Sequence, residues 1–167
     1  MIRAIVLVLC SASVALAQQA PAKKACDTEQ YRQLDFWVGT WDVHNGKGAH
    51  VGENEITVAE PCYLLESWRG DGGSRGMSLN FVDPAAGKWT QDWVDNGGGR
   101  ILISGGWSDG AMRLVGEHTL PDGTKRPFRG TWTPLPDGRV RQFFEEIQDE
   151  EAGWAPWFDG FYTKRKD

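Results

Sequence analysis

The sequence predicts an all-β fold: an antiparallel up-and-down closed barrel of about ten strands with one short N-terminal helix. Three observations carry this. Turn dipeptides recur at Asn45-Gly46, Asp71-Gly72, Asn96-Gly97, Asp109-Gly110, Asp122-Gly123, Asp137-Gly138 and Asp159-Gly160, each a hairpin signal between short β-prone runs. The chain carries 21 glycines and nine tryptophans, a composition suited to many turns and aromatic strands. No helical pattern is long enough to serve as a βα crossover, so a parallel sheet is excluded in practice. A meander of this many strands hides its edges best by closing.

The first element is an export signal. Arg3 gives a short positive region, Ala4 to Val14 an apolar run, and Ala15-Leu16-Ala17 a small-x-small cleavage site. The run is too short to cross a bilayer, which takes about 20 residues. Cys10 lies inside the run after Leu9, which does not fit a lipoprotein. Residues 1–17 are thus read as a cleaved signal peptide, and the protein as periplasmic or secreted, with no membrane insertion after cleavage. Residues 18–26 form a Gln/Ala/Pro/Lys linker. Residues 27–167 form a single domain, large enough to bury a core of its own.

The helix is placed at 28–36. Asp27 caps it with Gln30 three residues on, and Tyr31, Leu34 and Val38 share a face. Ten strands follow, at about 40–45, 51–60, 63–70, 75–82, 88–95, 100–105, 111–119, 125–134, 138–148 and 156–165. Gly46, Gly110, Gly123 and Gly138 are expected at positive φ in type I′ hairpin turns. Cys26 and Cys62 remain as a pair once the signal is removed. In an oxidising compartment they are expected to bridge, tying the pre-helix segment to the start of the third strand. In the closed meander the first and last strands pair, bringing a terminal cation near Trp41. Arg165 is chosen over Lys164 because a guanidinium stacks better on a ring.

The net charge of −5 argues against nucleic acid and anionic membrane as partners. His44, His50 and His118 show no metal spacing. No EF-hand loop, P-loop, dinucleotide fingerprint or haem attachment occurs, so no metal or cofactor is expected. Gly72-Gly73-Ser74-Arg75-Gly76 matches G-x-S-x-G, but strands flank it where a nucleophile elbow needs a strand and then a helix. A glycine-rich hairpin explains the same residues.

Alternation points to a site. Trp89, Gln91, Trp93 and Asp95 share one face of the fifth strand, Leu64, Glu66 and Trp68 one face of the third, and Gly76, Ser78 and Asn80 one face of the fourth. A solvated face would not carry so many tryptophans, and a dry core would not take Glu66, Gln91 and Asp95. A wet, aromatic-walled cavity satisfies both constraints. Glu66, Ser78 and Gln91 are expected to point in, with Leu65, Leu79 and Thr90 outside. Arg129 on the eighth strand would supply the cation that a buried carboxylate needs, and Gln142 and Glu145 lie on the ninth strand.

The stretches Arg32-Gln33-Leu34-Asp35-Phe36-Trp37-Val38-Gly39-Thr40-Trp41-Asp42-Val43 and Lys88-Trp89-Thr90-Gln91-Asp92-Trp93-Val94-Asp95 are specific. With Glu66-Ser67-Trp68, Gly76-Met77-Ser78 and Val140-Arg141-Gln142 they resemble the bacterial DUF1579 family, placed among the calycins. The likeness covers about 26 to 165 and implies a lipocalin-like barrel with no established activity. Near the end the family often reads Ser-x-Asp-Gly-Gly-x-x-Trp. This chain has Ile147-Gln148-Asp149-Glu150-Glu151-Ala152-Gly153-Trp154 instead, without the Gly-Gly turn. Gly39-Thr40-Trp41 after a short helix looks like the G-x-W that opens a lipocalin barrel, where the helix caps one end and Trp41 plugs the floor.

Three functions are compatible with these residues. The first is an exported binding protein for a small amphipathic or aromatic molecule, its cavity lined by Glu66, Trp68, Ser78, Asn80, Gln91, Trp93, Asp95, Arg129, Gln142 and Glu145. The second is an enzyme in the same cavity, with Glu66 or Asp95 as general acid/base and Arg129 as charge stabiliser. The third is a structural or partner-binding barrel with a filled interior.

Overall fold

The computed structural model describes residues 26–165. The expected signal peptide and all of the expected linker except Cys26 lie outside them. Ten antiparallel strands run β1 Gly39–Asn45, β2 His50–Glu60, β3 Tyr63–Gly70, β4 Arg75–Asp83, β5 Lys88–Asp95, β6 Arg100–Ser108, β7 Ala111–Thr119, β8 Lys125–Pro134, β9 Val140–Ile147 and β10 Trp154–Lys164. Each pairs with its sequence neighbours, and β1 pairs with β10, so the sheet closes into a barrel. Closure leaves no unpaired edge. Alternation sets the interior: along β9, Val140, Gln142, Phe144 and Glu146 are buried while the residues between them are half-exposed.

The helix is shorter than expected. One α-turn, α1 Glu29–Arg32, is followed by a 3-10 turn at Asp35–Trp37. Thr28, not Asp27, is the N-cap residue, and no side chain caps the turn. Fixation to the barrel end replaces capping. Trp89 Nε1 donates to Gln30 O and Gln33 Oε1, and Gln30 Nε2 donates to Gly87 O. Leu34 and Trp37 are buried, with Trp37 edge-on to Trp132 at 5.7 Å. The expected disulfide is present between Cys26 and Cys62, the latter in the β2–β3 turn. It fastens the chain ahead of α1 to the end that α1 covers.

Most turns lie where expected, but not as type I′. In the β1–β2, β3–β4, β5–β6, β7–β8 and β8–β9 connections, one residue accepts from the N–H three positions on and donates to the carbonyl four positions on. The glycine in the third loop position is left-handed. This places Gly123 and Gly138 as expected and corrects Gly46: the left-handed residue of that hairpin is Gly48, at φ 81°. A type I turn takes its two central residues right-handed and leaves the positive φ to the residue after them. Only Asp109-Gly110 has both residues at positive φ, 49° and 74°. Asp159-Gly160 is not a turn; it lies inside β10, opposite Phe143 and Gln142.

The closure pair is also corrected. Trp41 lies directly opposite Lys164, so those two side chains share a face. Lys164 Nζ sits 5.6 Å from the Trp41 ring centroid and donates to Val38 O. Arg165 follows on the opposite face, where it pairs with Asp42 at 2.7 Å and with Glu53. Alternation, not the stacking preference of guanidinium, decides which cation meets the ring.

Candidate functional site

The barrel interior is layered. The half beneath α1 is apolar, built on Trp37, Trp41, Trp89, Met112, Trp132 and Val140. Midway up one wall a band of polar side chains crosses β2, β3, β4 and β5. Glu66 Oε1 accepts from Asn54 Nδ2 at 2.7 Å, and Oε2 accepts from Ser78 Oγ at 2.6 Å and Gln91 Nε2 at 3.3 Å. Asn80 joins Ser78 and Gln91 to each other, and Asn54 also reaches the Tyr162 hydroxyl at 3.3 Å. All of these side chains are buried. Burial pushes the Glu66 carboxyl up from 4.5 to about 7, while the Ser78 and Asn54 hydrogen bonds pull it back. Burial raises the Tyr162 phenol well above its ordinary value, and the charge of Glu66 raises it further.

Above the band, at the end opposite α1, lies a cavity of about 420 Å³. Glu66, Gln142 and Tyr162 form its floor, and Trp68, Trp93, Phe144, Trp157 and Phe158 wall it. Two local devices hold these rings against the wall. The Trp93 ring covers the bare Cα of Gly76, where a Cβ would come within 2.1 Å of it, and Phe144 covers Gly130, where a Cβ would come within 2.5 Å. Glycine in a strand permits this close approach. The second device is a β-bulge between Pro156 and Phe158. Trp157 is the extra residue, and with it two consecutive aromatics, Trp157 and Phe158, line one cavity.

Gln142 and Trp93, which line the cavity, each carry a buried polar atom without a partner among the described residues, Oε1 and Nε1; Trp37 Nε1, Asn54 Oδ1 and Trp132 Nε1, on residues outside the cavity lining, share this state. Such groups are uncommon in a finished core.

Of the residues expected to line the cavity, Glu66, Trp68, Trp93 and Gln142 do so; Ser78, Asn80 and Gln91 point inward as expected but lie in the buried band bonded to Glu66, outside the cavity lining, and Leu79 is on the outer face. Asp95 lines the mouth, but its Oδ1 accepts from Gly97 N and Gly99 N, a task within its own hairpin. Arg129 and Glu145 are corrections. They pair with each other on the outside of the barrel at 2.6 and 2.8 Å, with the guanidinium 4.3 Å from the Trp154 ring centroid. The inward residues of β8 are Phe128, Gly130 and Trp132, which turns Arg129 out, and Glu145 is the cross-strand partner of Arg129.

Sequence reasoning missed a second buried charge cluster. Glu146 is 1% exposed and accepts from Arg126 at 3.2 Å, and its Oε1 lies 2.6 Å from His118 Nδ1. The His118 ring backs Trp157 at 5.7 Å. Asn54, Phe144, Trp157, Phe158 and Tyr162 were also not singled out. For Phe144 and Glu146 the available signal was their alternation with Gln142; for Trp157 there was none, because the bulge breaks alternation.

Ser74 sits in the β3–β4 hairpin, its Oγ accepting from Trp68 Nε1 at 3.0 Å. Among the described residues no group of three or more His, Cys, Asp or Glu could hold a metal ion, and no helix is long and apolar enough to cross a membrane. No protein-family model and no curated protein matches the chain.

Proposed function

We propose that the chain is an exported small-molecule-binding protein that takes one amphipathic or aromatic molecule into the open end of its barrel. The observation that carries this is the cavity itself: about 420 Å³, walled by aromatic rings over a polar floor that includes Glu66 and Gln142. That volume lies in the range of small-ligand sites, roughly 300–1,000 Å³. The rings offer contact area and the floor fixes orientation. A filled structural barrel would have no reason to keep the space open with Gly76 and Gly130. The disulfide supports the export half of the reading. The resemblance to the DUF1579 family adds a lipocalin-like barrel to the proposal and no activity.

The catalytic reading is favoured by one observation, the titration of Glu66 near neutrality. It loses the rest of its expected machinery, because Asp95 serves its turn and Arg129 faces outward. The binding reading is therefore preferred.

The test is native mass spectrometry of protein purified from its own compartment, with titration by the neutral fluorescent probe N-phenyl-1-naphthylamine. One added mass per chain, released on denaturation, and a single saturable probe site are the expected results. Protein that carries no added mass and takes up no probe would overturn the proposal.

A further inference from the structure

The polar band contains a carboxylate with no cation. The donors to Glu66 are Asn54, Ser78 and Gln91, all neutral. Among the described residues the other fully buried carboxylate, Glu146, is met by Arg126, and the half-buried Glu145 and Asp159 by Arg129 and Arg141, while the half-buried Asp83 and Asp95 are held by backbone N–H groups of their own turns. Glu66 is buried more deeply than Glu145 or Asp159 and lacks this. An ionised carboxylate so placed is costly unless a positive charge reaches it.

The cavity, which Glu66 lines, gives a cation a route to this carboxylate. Each carboxylate oxygen can accept two hydrogen bonds. Oε2 already accepts from Ser78 and Gln91, whereas Oε1 accepts from Asn54 alone. One acceptor site on Glu66 is therefore open, and Glu66 lines the cavity floor. The walls suit a cation as well. Trp68, Trp93, Trp157 and Phe158 surround the space, and aromatic faces attract positive charge. The other titratable or charged groups around this space are Tyr162 on β10, Asp95 at the end of β5 and Arg75 at the start of β4. Arg75 does not oppose a cation at the floor, because its Nη1 is turned onto the carbonyls of Gly70 and Ser74 in the rim hairpin.

We infer that the ligand is a protonated amine on an aromatic or aliphatic body, its N–H group donated to Glu66 and its charge enclosed by the rings of Trp68, Trp93 and Phe158. This rests on the binding function proposed above and names the ligand class for that site. Amine binding neutralises the lone carboxylate and fills its open acceptor site together.

Three probes on one phenylethyl body separate the possibilities: 2-phenylethylammonium, 2-phenylethanol and 3-phenylpropanoate, each measured by displacement of N-phenyl-1-naphthylamine. The ammonium is expected to bind at least about tenfold more tightly than the alcohol, with the carboxylate weakest. Glu66→Gln should erase the preference for the ammonium while leaving alcohol binding in place. The wild-type chain gives an independent reading should that variant fail to fold. The ammonium affinity should fall about tenfold per pH unit well below pH 7, where Glu66 is protonated, and the alcohol affinity should not. Alcohol or carboxylate binding as tightly as the ammonium, or an ammonium affinity insensitive to pH, would overturn the inference and leave the binding function standing. Failure of the neutral probe itself would remove both.

Discussion

At the scale of single residues, Glu66 sets how the protein responds to pH. Its carboxyl is raised from 4.5 to about 7 by burial. Between those two values the folded chain holds a proton that the unfolded chain has lost. The contribution is therefore complete below about pH 4.5 and disappears as pH rises through 7. A shift of this size corresponds to about 3 kcal/mol. Without ligand, the wild-type chain should lose stability between pH 5 and pH 8, and Glu66→Gln should lose less. Urea unfolding midpoints at the two pH values check this. A wild type that gains stability more steeply than the variant would mean that the carboxylate is ionised in the fold.

At the scale of elements, the strands were readable because each hairpin declares itself through Asx-Gly chemistry, and alternation then assigns Glu66, Ser78, Asn80 and Gln91 to the interior. Two kinds of feature were not readable. The need of a buried carboxylate for a cation points to Arg129 inside, but Phe128 and Trp132 already claim that face of β8, and Glu145 follows Arg129 outward as its cross-strand partner. The bulge at Pro156 to Phe158 carries no glycine signature, so nothing in the residues announces that Trp157 joins Phe158 at the cavity. The pairing of wide rings with strand glycines was equally silent, since it joins residues on different strands. It gives a direct test. In Gly76→Ala the new Cβ would fall 2.1 to 2.7 Å from three Trp93 ring atoms. The ring must leave the wall and enter the cavity, at a cost of about 1–3 kcal/mol. Probe binding should fall at least about tenfold while the far-ultraviolet circular dichroism of the barrel is kept. Unchanged probe affinity would show that Trp93 does not border the ligand.

At the scale of the whole molecule, the disulfide does more than shorten the unfolded chain. It spans 36 residues, and closing such a loop stabilises by about 4 kcal/mol in the chain-entropy account. It also anchors the segment that carries Leu34 and Trp37 into the barrel floor. Replacing both Cys26 and Cys62 by alanine should lower the melting temperature by roughly 10 °C. The loss of a fixed floor should appear first as faster exchange of the indole protons of Trp41 and Trp89, whose partners lie on Trp37, Gln30 and Gln33. Calorimetry and hydrogen exchange check the two parts separately, and an unchanged melting temperature would make the bridge ornamental. The plugged floor has a consequence for traffic. A vessel with one mouth cannot be flushed: no newcomer can push an occupant out ahead of it. On the proposed binding function, departure must come before arrival, so the dwell time of a bound molecule is its own property and that of the rim. Crowding the solution with a rival changes what is captured next, not how soon the present guest leaves.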